Sequence, residues 1–183
     1  MKLYVGTYKK YNEGSLAGAW LDLDDYADKD EFLKACYELH KDEEDPELMF
    51  QDYEKDHPWE EGLYSESWVP EKYWELKEAA ENCSLDDDAL EAWCSHESIK
   101  EPEDFERAEE CYRGHYTSWN PGADYAEELY EDLGYLTVLK EPYSNKTIRN
   151  PLANYVDWDG VWRDLTFENY FEESGYIFDL GRA

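Results

Sequence analysis

From Pro121 to Gly134 the chain reads PGADYAEELYEDLG, a stretch whose pattern fits a helix and little else. At the helical period, Asp124, Glu127, Glu128, Glu131 and Asp132 fall at i, i+3, i+4, i+7 and i+8, on one face. Tyr125, Leu129 and Leu133 run along the other side and are expected to pack inward. Pro121 and Gly122 suit the start, and Gly134 suits a left-handed stop. At about 1.5 Å rise per residue, the five carboxylates span ~12 Å, one charge per ~2.5 Å. Duplex DNA carries one charge per ~1.7 Å of axis, so the two linear densities are of the same order. Acids in the last turn also oppose the helix dipole, at about 0.3 kcal/mol or more each. Their retention there points to a role other than stability. A single such helix would read as a solvated face; here the pattern recurs along the whole chain.

The 183 residues include 47 Asp plus Glu against 17 Lys plus Arg, a formal net charge of −30. Charge on that scale with low hydrophobicity would ordinarily leave a chain unfolded. The aromatic residues oppose this: 17 Tyr, 8 Trp and 6 Phe, each able to bury ~150–250 Å². They are expected to build several small cores that offset the self-repulsion of the acids. Nucleic acid and anionic membranes are disfavoured as ligands by the same charge, which favours a basic partner. The opening MKLYVGTYKKYNEG lacks the apolar core of a signal peptide, and no apolar run reaches membrane-spanning length. Four cysteines without a CxxC spacing fit reduced thiols, and the expected location is the cytoplasm.

Periodicity predicts an α+β chain in three parts, 1–61, 62–103 and 104–183. In the first, Leu3–Tyr8 and Ser15–Leu23 are expected to form a hairpin across a turn at Lys9–Gly14. A helix capped by Asp28 or Asp30 follows, with Phe32, Leu33, Cys36 and Leu39 as its stripe, and Leu48–Tyr53 returns as a third strand. The second part is helical. Pro70 is placed at the first position of a helix through Tyr73, Trp74 and Leu76, and Ser84–Asp87 as a capping box for Leu85, Ala89, Leu90 and Trp93. In the third, a helix carries Phe105, Ala108 and Tyr112 to Gly114, ahead of the acidic helix. Beyond it come a strand at Tyr135–Leu139, a polar, turn-rich stretch at Asn145–Asn154, and a helix capped by Asp157 with Trp158, Val161, Trp162 and Leu165 inward. Phe167–Phe171 and Tyr176–Leu180 close the chain as a hairpin around Glu172–Gly175. The net charges of the three parts are −11, −9 and −10, so the acidity is distributed and no acidic tail exists.

Several chemistries fit poorly. A calcium loop would need an acid where Tyr155 stands and a Glu at Thr166, around Asp157, Asp159 and Gly160. Cys111 and His115, spaced i, i+4, are too few ligands for a metal site. A glycosidase needs two distinguished carboxylates, whereas nearly every acid here has an acidic neighbour. Phosphate-binding glycine loops and nucleophile elbows are absent. No catalytic residue, metal or cofactor is therefore expected.

Four blocks in order carry a family resemblance: YVGTYKKYNEGSLAGAWLDLDDY from Tyr4, FLKACYELHKDEEDPELMFQDYE from Phe32, YRGHYTSWNPGADYAEELYEDLG from Tyr112, and YVDWDGVWRDLTFENYFEESGYIF from Tyr155. Together they resemble antirestriction proteins of the ArdA type across nearly the whole chain. The resemblance implies a DNA mimic carried by a mobile genetic element, with three domains in an elongated array, forming a homodimer. It implies the DNA-binding groove of type I restriction–modification enzymes as the partner. Three domains of about 25 Å each reach ~80 Å, and an end-to-end dimer ~150 Å. That equals ~45 base pairs, whose roughly 90 phosphates compare with two copies of the 47 acids. The carboxylates expected to stand for phosphates are Asp22, Asp24 and Asp25; Asp86, Asp87 and Asp88; Glu109 and Glu110; and Asp124, Glu127, Glu128, Glu131 and Asp132. Such a surface shows no base edges, so inhibition should ignore target sequence. The competing readings are a mimic or chaperone serving another basic nucleic-acid-binding protein, and a carboxylate glycosidase. Recovery of restriction subunits from a lysate separates the first from inhibition of restriction. Turnover of polysaccharide, lost on one acid-to-amide change, would establish the second.

Overall fold

The computed structural model describes residues 1–140 and 147–182, and it is α+β, as expected. The described residues fall into two compact units, divided between Glu106 and Arg107. In the first, strands β1 (Lys2–Thr7), β2 (Ala19–Asp22) and β3 (Leu48–Glu54) form an antiparallel sheet in the order β2-β1-β3. Leu3 pairs with Leu21 on one side and Tyr53 on the other, which makes β1 central. Alternation puts Leu3 and Val5 inward, beside Phe32 and Cys36 of helix α2 (Lys29–Leu39), all nearly or fully buried. Asp28 caps α2 by accepting from the Glu31 N–H.

The expected turn at Lys9–Gly14 is in part a short helix, α1 (Tyr8–Asn12), because the Thr7 side chain caps it by accepting from the Lys10 N–H. Pro70 does not open a helix. Helix α3 (Tyr73–Asn82) begins three residues later, and the buried Pro70 forms wall rather than helix start. Nor does Ser84 cap the next helix, α4 (Asp87–Cys94). Asp86 does so, accepting from the Ala89 N–H at 2.8 Å, since an ionised carboxylate also gains from the helix dipole. Residues on both sides of the expected 61/62 boundary share packing: Tyr73 lies 5.6 Å from Trp59, ring to ring, and Trp59 lies 6.1 Å from Phe105.

Helix α5 (Glu103–Cys111) stops earlier than its apolar stripe suggests. Tyr112 to Gly114 belong to strand β4 (Tyr112–His115), where Gly114 takes φ +145°, closed to a continuing helix. The second unit also holds α6 (Pro121–Asp132), β5 (Thr137–Lys140), β6 (Thr147–Arg149), α7 (Trp158–Thr166), β7 (Tyr170–Glu173) and β8 (Tyr176–Asp179). Its sheet runs β4-β8-β7, and β5 pairs with β6. The stretch expected to be turn-rich contains β6 and a 3-10 turn at Pro151–Tyr155, while Asn145 and Lys146 lie outside the described residues. Ser174 and Gly175, at φ +53° and +88°, make the tight turn of the β7–β8 hairpin. Phe167 lies outside that hairpin and is exposed.

Helices α6 and α7 meet at Gly122. The Trp162 ring comes within 2.3 Å of where a Cβ on Gly122 would sit, so no larger residue fits without displacement. Asp157 caps α7, as expected. Phe171 stacks on Phe178 at 4.9 Å, and Tyr125 packs on Trp162 and Tyr170. These rings supply the second core.

One polar network is built into the first unit. Glu60, with no exposed surface, accepts from the Asp56 and His57 N–H groups and from the Tyr73 hydroxyl, and lies 3.1 Å from the Met1 ammonium. The Tyr73 hydroxyl also lies 2.9 Å from Asp24, which pairs with Lys77 at 2.8 Å. Burial pushes the Asp24 carboxyl up, and the Lys77 ammonium and Tyr73 hydroxyl outweigh it, holding the carboxyl below its ordinary 3.8. A lowered folded value contributes stability that is present above the unfolded value and lost as pH falls through the folded one. Asp24→Asn is expected to cost about 1 kcal/mol at neutral pH, discounted for partial exposure. In urea unfolding, the gap between wild type and variant should shrink as pH falls from 7 to 3; a gap independent of pH would contradict this assignment.

Candidate functional site

The acidic face of α6 forms where its sequence places it. Asp124, Glu128, Glu131 and Asp132 are exposed and Glu127 is half-buried, while Tyr125 and Ala126 turn into the core. Pro121 sits in the first turn after Asn120. Gly134, at φ +82°, ends the helix, with its N–H bonded to Glu131 and the Tyr135 N–H bonded to Tyr130, a Schellman arrangement. Leu133 does not pack inward: it is the C-cap of α6 and is 60% exposed. Tyr116 fixes one carboxylate. Its hydroxyl donates to Glu128 at 2.7 Å, and burial, then that bond, push the phenol well above its ordinary value, so it stays a neutral donor.

In the first unit, the two acidic triplets meet. Asp24 and Asp87 line one cavity of about 160 Å³ with His57, Tyr73, Lys77 and Glu81. Asp87 lies 3.2 Å from His57 Nδ1. The triplets are not uniform arrays. Asp22 caps the turn Leu23–Asp25 through the Asp24 N–H, Asp24 is held by Lys77 and Tyr73, and Asp86 is a helix cap. Asp25, Asp87 and Asp88 are exposed. Glu110 is exposed on α5, and Glu109 half-buried. Sequence reasoning missed Lys77 and Glu81, whose i, i+4 spacing on α3 was the available signal. It also missed Asp179, which is buried against Arg113 at 3.2 Å and serves the core.

The chemistry of the remaining groups is quiet. Burial pushes the Cys36 thiol up to about 12 and the Cys94 thiol up to about 11, which makes both poor nucleophiles. Cys111 ends α5 while His115 lies on β4, stacked at 4.0 Å on Tyr176, so they do not share a helix face. Among the described residues, no group of three or more His, Cys, Asp or Glu is placed to hold a metal ion. No helix among them is long and apolar enough to cross a membrane.

Carboxylates on helix faces and caps, over aromatic cores, define a class: a binding protein that works by displaying negative charge. The model of one family, antirestriction protein (ArdA), matches residues 3–178, and the chain belongs to that family. Its members are non-catalytic DNA mimics known to target type I restriction–modification enzymes, and by membership this chain is an antirestriction protein and a DNA mimic. No curated protein matches it.

If the α6 carboxylates are read as phosphates, each contributes a weak, screened contact. Glu128→Gln is then expected to weaken inhibition of restriction by roughly two- to fivefold. Neutralising Asp124, Glu127, Glu128, Glu131 and Asp132 together should weaken it by roughly a hundredfold or more. Inhibition constants for the variants check this; loss of all inhibition from one folded single variant would contradict it.

Proposed function

We propose that this chain occupies the DNA-binding groove of a type I restriction–modification enzyme in the cytoplasm, stoichiometrically and without regard to target sequence. Family membership and the exposed carboxylate strip of α6 support the reading, and the strip is the observation that carries it. Lys and Arg side chains that neutralise phosphates at ~1.7 Å of axis can neutralise carboxylates at ~2.5 Å in the same way. Binding of DNA itself is opposed by the net charge of −30.

In the same reading, the phosphate-mimicking set is the acids named above, among which Asp22, Asp24 and Asp86 also serve local structure. The parts 1–61, 62–103 and 104–183 act as an elongated array, and a homodimer doubles its reach along the groove. Support for a dimer comes from apolar side chains left outward in the second unit: Leu133, Tyr135, Leu152 and Tyr155 are each at least 60% exposed.

The test is cleavage of unmodified DNA by a type I enzyme at rising inhibitor concentration. Inhibition should saturate near stoichiometric protein and be relieved by excess DNA carrying the recognition sites. Inhibition that excess DNA does not relieve, or a gel shift of DNA by this protein alone at physiological salt, would overturn the reading.

A further inference from the structure

The loop between β4 and α6 carries a side chain that the fold does not use. Trp119 is 93% exposed, more than any other large apolar side chain among the described residues. Its position is nevertheless fixed. On one side the Tyr116 N–H donates to the Gly175 carbonyl at 2.8 Å, and the Tyr116 ring packs edge-on against Tyr125. On the other the Asn120 N–H donates to Ser118 Oγ at 3.1 Å. The Asn120 amide also donates to Asp159 at 2.6 Å, which ties the loop to the start of α7. Trp119 immediately precedes Asn120, the N-cap of α6. An apolar residue at that place often packs on the fourth residue of its helix, and here that residue is the exposed Asp124. A ring presented by a pinned backbone loses little conformational freedom when a partner covers it.

The surroundings select the occupant. From Gly114 to Leu139 the chain has five acids, all of them the α6 carboxylates, and no Lys or Arg. Asp159, held beside the loop by Asn120, is exposed as well. A groove built to bind DNA supplies the missing sign, since Lys and Arg that neutralise phosphates line it. Of the two, arginine fits an indole: its guanidinium lies flat on the ring and still donates from its edge to a carboxylate. A second copy of this chain suits the place poorly, because it brings the same charge. The exposed Leu133 and Tyr135 follow the far end of α6, whose 12 residues span ~18 Å, so Trp119 stands apart from that apolar surface.

We propose that Trp119 is a binding residue of the charged surface, stacking on an arginine guanidinium in the DNA-binding groove of the restriction enzyme; this rests on the reading that the chain occupies that groove. Duplex DNA turns phosphates and base edges toward a protein and keeps its ring faces stacked inside. Trp119 therefore gives the inhibitor a contact that DNA cannot make, beside contacts that imitate those of phosphates. Short in range and covered on binding, it is screened by salt less than the carboxylate contacts are.

The test is the inhibition constant of the full chain against a type I enzyme cleaving unmodified DNA, at low and at physiological salt. Trp119→Ala should weaken inhibition about three- to tenfold, by the same factor at both salt concentrations. Neutralising the five α6 carboxylates should instead cost less at the higher salt. Trp119→Phe should retain part of the effect through its smaller aromatic face, and Trp119→Leu should do no better than Trp119→Ala. Urea midpoints of the three variants should match that of the wild type, since the side chain is exposed. The proposal is overturned if Trp119→Ala inhibits as well as the wild type. It is overturned too if Trp119→Leu equals Trp119→Phe, which would make the contact apolar. A lowered urea midpoint in Trp119→Ala would assign the ring to packing, and loss of self-association would assign it to a second copy; either result overturns it. Failure of the wild type to compete with DNA would overturn the proposed function together with this role, whereas a competing wild type matched by Trp119→Ala overturns this role alone.

Discussion

Self-repulsion among the carboxylates is the constraint on which everything else in this molecule depends. Thirty excess negative charges favour expansion of the chain, and the aromatic side chains oppose it. Each unit is centred on rings. Trp59, Tyr73 and Phe105 meet in the first, and Tyr125, Trp162, Tyr170, Phe171 and Phe178 in the second. Large rings bury much area per residue, so few positions are needed for the core and many remain for acids. Tyrosine adds a polar end that reaches out of the core. Tyr116 donates to Glu128, and the single Tyr73 hydroxyl lies within hydrogen-bond reach of both Asp24 and Glu60, so the same residues that fill the cores also fix carboxylates at their margins.

This arrangement sorts the acids into two kinds. Some are structural: Asp28, Asp86 and Asp157 close helix starts, Glu60 organises a buried network, and Asp179 pairs with Arg113 inside the second unit. Others, such as Asp124, Glu131 and Asp132, stand exposed on a helix whose inner face is firmly packed. The second kind suits imitation of a phosphate backbone, because its positions are set by helix geometry rather than by flexible loops.

Much of this was legible in the sequence where the determinants are local. The α6 face, its Gly134 stop, the caps at Asp28 and Asp157, and the closing hairpin all follow from residues within a few positions of one another. The failures come from competition or distance. Ser84 and Asp86 both suit a cap, and the ionised one prevails. Tyr112 and Gly114 look like the end of a helix until β8, more than sixty residues later, offers a strand to pair with. The junction of Asp24 with Asp87 around Lys77 joins residues from distant turns, which no periodicity reveals. Leu133 follows the helical stripe in sequence and yet lies outside, at the C-cap of α6.

The central claim, that carboxylates on a folded surface stand for phosphates, is tested most directly by the salt dependence of binding to a type I enzyme, measured beside duplex DNA. Affinity for both should fall as salt rises. The slope for this protein should be distinctly shallower than that for DNA, since carboxylates interspersed with 17 bases condense fewer counterions for release. An affinity unaffected by salt would contradict mimicry and place the binding energy in apolar or shape-based contacts.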